Sequence, residues 1–256
     1  MDSTFSYAQL QSPKHFLQDA VCNAGGTLIE VKLLERLRHG VVGGVYRHEG
    51  IRQRGAVYGV LDGVGGCREP KRASQIGADE LTSIIRKTSA LPADERGFQD
   101  CLRAANVKVW ELGIEPGTRR SLGAAAAVAV WIPWATDAQE MVPGFLANVG
   151  DTMAWRWDGE KLHELVSMGR QAKVIRNYLG LGDGFEIDFR RIDLERGRDV
   201  VVLATDGVTK AIGLAAVNEI AHGCGGDVEE LPRRIVFAAK ANGSSDDISV
   251  MAVQVE

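Results

Sequence analysis

The sequence is poor in cysteine, and the spacing of its few cysteines excludes common metal and redox sites. The four present, Cys22, Cys67, Cys101 and Cys224, are far apart and form no CxxC pair. Zinc ribbons and thioredoxin-like sites need closely spaced thiols, so neither is expected. A chain of 256 residues that is 45% hydrophobic can bury a core without disulfides or a structural metal. We therefore expect free thiols and a reducing, cytoplasmic location.

The sequence also lacks a positive net charge and a long apolar run. Lys and Arg number 30 against 34 Asp and Glu, a net charge of −4. Nucleic-acid backbones and anionic membranes attract basic proteins, so we expect neither as a partner. The longest apolar run, Leu122 to Ala135, is shorter than a membrane span and contains Pro133. The first residues show no basic segment followed by an apolar one, so no signal peptide is expected.

The organisation of the chain predicts one domain over residues 1–256, because no internal repeat or low-complexity linker divides it. After a short apolar strand at 57–61, apolar residues at helical spacing predict helices over 73–85 and 98–112. The second half has runs of strand length, then two more helical stretches and a last strand at 248–255. Strands grouped apart from paired helices predict the α+β class.

Four aspartates stand where apolar strands begin or end, each beside a glycine or another aspartate. They are Asp62, Asp151, Asp206 and Asp246. A carboxylate at the end of a buried strand costs desolvation free energy unless it is hydrogen-bonded or binds a cation. Asp-Gly is also a common turn dipeptide, so an ordinary loop aspartate is the alternative at any single position. As a set, without His or Cys nearby in the sequence, they predict all-oxygen ligands for a hard cation such as Mg²⁺ or Mn²⁺.

Five strings extend this pattern along the chain. They are VYGVLDGVGG (57–66), LANVGDTMAWRWDGEKLHEL (146–165), VIRNYLG (174–180), RDVVVLATDGVTKAI (198–212) and SSDDISVMAVQV (244–255). In this order they resemble the metal-dependent serine/threonine phosphatases of the PPM family, usually called PP2C. The resemblance implies a central antiparallel β-sandwich flanked by helix pairs, a four-layer αββα arrangement. It also implies hydrolysis of phosphoserine or phosphothreonine in proteins by water that two Mn²⁺ or Mg²⁺ ions activate.

The resemblance further implies roles for individual residues. Asp62 would bridge the two ions, and the carbonyl of Gly63 would bind the second one. Asp206 and Asp246 would complete the protein ligands of the first ion, so these two and Asp62 would act in catalysis through the metal-bound water. Asp151 resembles an aspartate that binds a weaker third ion.

The amino-terminal motif of the family has one candidate here, from Lys14 to Asp19. Lys14 stands where the family usually has an arginine that binds the substrate phosphate, and a lysine binds as a point charge without the bidentate geometry. Asp19 would be a metal ligand. The alternative is that Asp19 is an ordinary surface residue near a frayed terminus.

The stretch between Asp19 and Asp62 is longer than expected between these motifs, so we predict a possible insertion around residues 27–50. Within it, the spacing of three apolar residues suggests a helical turn or two. These residues are Val31, Leu34 and Leu37.

Departures from the family pattern leave alternatives open. The usual Asp-Asn before the last strand is Asp246-Asp247 here, and the segment between Val166 and Asp199 is short for a substrate-selecting flap. One alternative is a catalytically weak or inactive PPM-like module that binds a phosphoprotein or signalling partner, and another is hydrolysis of a small phosphate ester. The retained aspartates favour the enzyme, because a binding module has no obvious need for costly grouped carboxylates. We expect a monomer acting on a phosphorylated protein.

Overall fold

A computed structural model describes residues 1–12, 17–25, 27–34, 41–49, 51, 54–86, 90–113, 117, 122–135, 138–166 and 175–256. The strands in these residues are β1 (Ser3–Leu10), β2 (Ala20–Ala24), β3 (Thr27–Leu34), β4 (Val41–Glu49), β5 (Ala56–Gly63), β6 (Ala125–Ile132), β7 (Met141–Val149), β8 (Met153–Trp157), β9 (Leu162–Glu164), β10 (Asp188–Glu195), β11 (Val200–Ala204) and β12 (Ile248–Val255). The helices are α1 (Pro70–Ser83), α2 (Glu95–Trp110), α3 (Asp206–Thr209), α4 (Leu214–Gly223) and α5 (Leu231–Ala241).

The strands form two antiparallel sheets that pack face to face. One sheet has the order β3-β4-β1-β12-β11-β8-β9, and the other has the order β10-β7-β6-β5-β2. Their inner faces meet in a core whose fully buried side chains include Phe5, Tyr58, Val130, Leu203 and Met251. Burial of these apolar faces against each other is the main source of stability for such a sandwich.

Helices cover both outer faces of the sandwich. The buried faces of α1 and α2 pack on the five-stranded sheet, where Leu81 and Phe98 join the cluster that contains Trp131. On the seven-stranded sheet, α4 and α5 contribute Val217 and Ile235 to the outer core. The predicted four-layer αββα arrangement is therefore confirmed. No helix in the described part of the chain is long and apolar enough to cross a membrane.

Local signals explain where the first two helices begin. Pro70 lies in the first turn of α1, where its fixed φ is favourable and its missing N–H is not needed. Asp94 is the N-cap of α2 and accepts a 2.8 Å hydrogen bond from the backbone N–H of Gly97. The predicted helices at 73–85 and 98–112 are thus confirmed, each shifted towards the amino terminus by these start signals.

The region before β5 differs from the prediction. Residues 27–34 form strand β3, which pairs with β4, so the expected helical turn is wrong for Val31 and Leu34, while Leu37 lies outside the described residues. The register of β3 on β4 shifts between Glu30 and Lys32, an irregularity that interrupts the two-residue alternation of a strand. Whether this β3–β4 hairpin is an insertion stays a prediction.

The strand ends place the aspartate-bearing loops at one end of the sandwich. Gly63 at the end of β5 pairs with Ala125 at the start of β6. In the other sheet, Ala204 at the end of β11 pairs with Met153 at the start of β8, and β12 begins at Ile248 opposite the end of β1. The loops that leave these strands therefore emerge side by side.

Candidate metal centre and active site

Asp19 lies immediately before β2 and is only 5% exposed. Its Oδ2 atom accepts hydrogen bonds from Ser249 Oγ at 2.6 Å and Thr205 Oγ1 at 3.2 Å. Its Oδ1 atom is buried and has no hydrogen-bond partner among the described residues. Burial raises the pKa of Asp19 to about 7, against the effect of the Ser249 hydrogen bond. The alternative of a surface residue near a frayed terminus is therefore wrong.

Asp62 is the last residue but one of strand β5, and the residue before it, Leu61, pairs with Ala20, which follows Asp19. Burial raises the pKa of Asp62 well above its ordinary value, and four neighbouring negative charges raise it further. These charges belong to Asp19, Asp206, Asp246 and Asp151. The structure thus brings the other four aspartates that the sequence singles out as metal ligands close enough to Asp62 for their charges to act on it.

Asp206 begins α3, directly after β11, and is 5% exposed. Its Oδ1 atom is buried without a hydrogen-bond partner in the part of the chain that the structure describes. Its Oδ2 atom forms a 2.6 Å ion pair with Lys210 Nζ. Burial and the charge of Asp151 raise the pKa of Asp206 to about 6, although Lys210 opposes this increase.

Lys210 is a residue of this cluster that the sequence analysis did not single out. Besides its contact with Asp206, its Nζ atom lies 2.9 Å from Oδ2 of Asp246. Partial burial lowers the pKa of Lys210, but its contacts with the two carboxylates outweigh this effect and raise the pKa above its ordinary value. The four-residue spacing from Asp206 to Lys210 is the signal that could have revealed this pair, because such residues share one face of a helical turn.

Two glycines let the loops of the cluster approach each other. A Cβ atom on Gly63 would lie 2.6 Å from the carbonyl oxygen of Pro70, and one on Gly207 would lie 2.0 Å from that of Asp247. Both contacts are too close for any side chain. The glycine after each aspartate is therefore required by backbone packing, which places Asp62 and Asp206 against neighbouring loops.

Asp247 connects the last strand to the segment that carries Asp19. It is 3% exposed, and its two carboxylate oxygens accept hydrogen bonds from the backbone N–H groups of Ser12 at 2.6 Å and Gln18 at 2.7 Å. In the sequence, Asp247 stands out only as a departure from the family pattern. Its position shows that it holds the backbone next to Asp19, and no single-residue signal in the sequence indicates this.

Asp151 lies in the turn between β7 and β8, and the hydrogen bonds around it involve its neighbours. Thr152 Oγ1 donates to Asn148 Oδ1 at 2.8 Å, and the Asn148 amide donates to the Gly150 carbonyl at 3.3 Å. These contacts fix the turn and present Asp151 towards Asp62 and Asp206, whose pKa values its charge raises.

The carboxylate oxygens of the aspartate cluster are suitable ligands for a hard divalent cation, although these side chains do not meet at one point. Among the described residues, no group of three Asp, Glu, His or Cys side chains is already arranged to hold a metal ion. The buried Oδ1 atoms of Asp19 and Asp206 nevertheless have no hydrogen-bond partner among the residues that the structure describes, and a cation would satisfy them. Clustered carboxylates repel one another without a counterion, and only oxygen ligands are present, as Mg²⁺ and Mn²⁺ prefer.

The predicted phosphate-binding residue, Lys14, lies outside the described residues. The metal-ligand roles of Asp62, Gly63, Asp206, Asp246, Asp19 and Asp151 stay predictions. What the structure contributes is that the aspartates among them share one end of the sandwich.

Comparison with known proteins identifies the fold. No protein-family model and no curated protein sequence matches the chain. Solved structures do match over nearly its full length. The serine/threonine phosphatase of S. agalactiae is 18% identical, with 99% of this chain and 100% of that chain covered and a TM-score of 0.69.

Two mycobacterial structures give the same result. The PPM Ser-Thr phosphatase MsPP of Mycobacterium smegmatis, solved in complex with cacodylate, is 20% identical, with 96% of this chain and 100% of that chain covered and a TM-score of 0.62. The serine/threonine phosphatase PstP/Ppp of Mycobacterium tuberculosis is 18% identical, with 92% of this chain and 99% of that chain covered and a TM-score of 0.62. The resemblance in the sequence is thus confirmed at the level of the structure: this chain has the fold of the PPM-type serine/threonine phosphatases.

Proposed function

We propose that this chain is a metal-dependent phosphatase that hydrolyses phosphoserine and phosphothreonine esters in proteins. The observation that carries the proposal is the convergence of five aspartates at one end of a phosphatase-like sandwich, with buried, unpartnered oxygens on Asp19 and Asp206. Structural cores alone do not need such a cluster, because its charges raise the free energy of the folded state.

The chain's own residues would hold the cations in the way that the family resemblance implies. Asp62 would bridge two ions, with the Gly63 carbonyl on one of them and Asp206 and Asp246 on the other. Asp19 and Asp151 would supply further carboxylate oxygens, and Lys14 would bind the substrate phosphate. Two Mn²⁺ or Mg²⁺ ions, when bound, would supply Lewis-acid activation of water and neutralise charge on the phosphoryl oxygens.

The packing of the cluster assigns supporting tasks to neighbouring residues. Ser249 and Thr205 orient Asp19 through its Oδ2 atom, which leaves Oδ1 for a cation. Asp247 fixes the backbone beside Asp19, at Gln18. Such outer contacts keep ligands in place before the ions bind, which reduces the free energy lost to reorganisation. A cytoplasmic location and a monomeric state remain part of the proposal.

The test is release of phosphate from a phosphothreonine peptide with Mn²⁺ and after metal removal by EDTA. We expect activity that depends on Mn²⁺ and a decrease of at least about 10²-fold in Asp206→Asn and Asp246→Asn, because each variant loses a charged metal ligand. Asp188→Asn, at an exposed position of β10, should retain the wild-type rate. No Mn²⁺-dependent turnover in folded wild-type protein would reject the proposal.

A second candidate is a PPM-like module that binds a phosphoprotein with little or no turnover. The contact of Lys210 with both Asp206 and Asp246 favours it, because an ammonium group lies between two carboxylates assigned to a metal. Binding of the phosphopeptide without phosphate release would support this candidate. Release of phosphate from p-nitrophenyl phosphate but from no peptide would instead support a small-ester phosphatase.

A further inference from the structure

The ammonium group of Lys210 lies where a cation of the proposed centre would be expected. Its Nζ atom is 2.6 Å from Asp206 Oδ2 and 2.9 Å from Asp246 Oδ2. Both distances are those of charge-assisted hydrogen bonds. These two aspartates are the ones that the resemblance assigns to the same metal ion, so one positive charge already links them.

The backbone fixes this arrangement from both sides. The N–H of Lys210 donates a 2.9 Å hydrogen bond to the carbonyl of Asp206, which places both side chains on one face of the α3 turn. The loop with Asp246 is held to the same turn, because Ser244 Oγ donates to the Gly207 carbonyl at 3.1 Å. The lysine therefore reaches both carboxylates without a rearrangement of the loops.

The two carboxylates differ in what they leave for another cation. Within the described part of the chain, the buried Oδ1 atom of Asp206 has no hydrogen-bond partner, whereas Oδ1 of Asp246 accepts a 3.1 Å hydrogen bond from the N–H of Asp247. Lys210 thus satisfies only one oxygen of Asp206. The lysine side chain is 57% exposed, so it can move out into solvent when a divalent ion binds.

We infer that Lys210 is a built-in competitor for the divalent cation at the Asp206–Asp246 position, so that metal binding there requires displacement of its ammonium group. This inference rests on the proposed metal centre. A ligand that binds only the conformation with Lys210 displaced has an apparent affinity reduced by the fraction of molecules in that conformation. The lysine therefore raises the Mn²⁺ concentration needed to fill the centre and offsets part of the repulsion between Asp206 and Asp246.

The experiment is a titration of Mn²⁺ into metal-free wild type and Lys210→Gln, followed by thermal unfolding and by isothermal titration calorimetry. We expect Lys210→Gln to bind Mn²⁺ at least about tenfold more tightly, because no ammonium group has to be displaced. Without metal, the same variant should melt below the wild type, since its carboxylates lose their cationic partner. A second variant, Lys210→Arg, keeps the charge and should stay near the wild-type affinity.

Lys108→Gln is the matched control. Lys108 pairs with Glu80 at 2.5 Å and its side chain is 54% exposed, close to the exposure of Lys210, but it lies on α2. Its removal changes the net charge equally and should leave the Mn²⁺ affinity unchanged. Equal or weaker Mn²⁺ binding in Lys210→Gln, or no binding in either protein, would overturn the inference.

The proposed function is tested separately in the same samples. Phosphate release by the wild type at saturating Mn²⁺ reports on the enzyme, whereas the change in Mn²⁺ affinity reports on Lys210. Tighter binding in Lys210→Gln without turnover in any sample would support the inference and reject the enzyme. Phosphate release by the wild type, together with an unchanged Mn²⁺ affinity in Lys210→Gln, would support the enzyme and overturn the inference.

Discussion

Ser249 donates a 2.6 Å hydrogen bond from its hydroxyl group to the carboxylate of Asp19. Ser249 lies in β12 of the seven-stranded sheet, and Asp19 directly precedes β2 of the five-stranded sheet. The contact therefore joins the two sheets at the aspartate cluster. It also favours the ionised form of a carboxyl group that burial would otherwise keep protonated.

Replacing Ser249 by Ala should weaken Mn²⁺ binding. The variant loses the hydroxyl group that orients Asp19, and loss of an outer contact to a metal ligand typically reduces metal affinity about 10- to 100-fold. The Mn²⁺ concentration at half of the maximal thermal shift measures the effect. Ser6→Ala is the control, since this buried hydroxyl donates to the Val228 carbonyl, away from the cluster. An unchanged midpoint in Ser249→Ala would remove Asp19 from the ligand set.

Replacing Asp62 by Asn should leave the metal-free protein as stable as the wild type or more stable. The charges of four other carboxylates act on it, so neutralising Asp62 removes repulsion. The stabilisation by Mn²⁺ should be largely lost, because a ligand stabilises only the state that binds it. Thermal unfolding with and without Mn²⁺ measures both effects.

Asp199→Asn is the matched control for the Asp62 variant. Asp199 is a buried aspartate outside the cluster, whose Oδ2 atom accepts a 2.9 Å hydrogen bond from the N–H of Glu195 and lies 3.8 Å from Arg156 Nη1. We expect this variant to be less stable than the wild type and to keep its response to Mn²⁺. A metal-free Asp62→Asn protein that is clearly destabilised would show that Asp62 has a structural role instead.

Replacing Asp247 by Asn should destabilise the protein by about 1–3 kcal/mol. An amide has only one acceptor oxygen, so its NH₂ group would face either the Ser12 or the Gln18 backbone N–H. Urea denaturation measures the change in the free energy of unfolding. In Asp227→Asn, where Oδ1 accepts one bond from Glu229 in an exposed turn, the change should stay below about 0.5 kcal/mol. Equal effects would contradict the bridging role of Asp247.

The buried His48 should make the protein sensitive to acid. It is 2% exposed, its Nδ1 atom lies 2.9 Å from the Tyr58 hydroxyl, and burial lowers its pKa to about 4 from the ordinary 6.5. Between these values the unfolded chain binds more protons than the folded protein, so stability falls as the pH falls from 6.5 to 4. The expected loss is about 3 kcal/mol.

The measurement is urea denaturation in EDTA at several pH values for the wild type and His48→Phe. The difference in the free energy of unfolding between the two proteins should be constant above pH 6.5. As the pH approaches 4, the variant should become more stable relative to the wild type. His222→Gln, at an exposed position of α4, is the control, and its free energy of unfolding should change with pH in the same way as that of the wild type. Parallel curves for His48→Phe and the wild type would contradict the prediction.

The sequence predicts the apolar strands well because they are buried on both faces. The stretches that become β5, β11 and β12 are continuous β-branched and apolar runs, and each has an aspartate at the end that joins the cluster. Such runs have few alternatives to a central strand. The sequence therefore indicates that these aspartates lie at strand ends, whereas the order of the strands in the two sheets is needed to place them at one end of the sandwich.

The sequence does not predict β1, although this strand is an interior strand of the seven-stranded sheet. Several of its polar side chains are buried, and each is satisfied by a distant partner: Ser3 by Tyr58, Ser6 by the Val228 carbonyl and Gln9 by Ser249. A window of local sequence cannot show such partners. The strand signal of β3 is present in the sequence, where Ile29, Val31 and Leu33 alternate with Glu30 and Lys32, but the wider spacing of Val31, Leu34 and Leu37 predicts helical turns instead.

The central position of β12 determines how the seven-stranded sheet can assemble. β12 hydrogen-bonds to β1 on one side and β11 on the other, so β3-β4-β1 and β11-β8-β9 share no strand pairing without it. Its partner β1 lies near the opposite end of the described chain, and closing so long a loop is slow. During synthesis on the ribosome, the strand sets β3-β4-β1 and β11-β8-β9 would therefore remain unconnected, and the seven-stranded sheet would be completed only after β12 is synthesised.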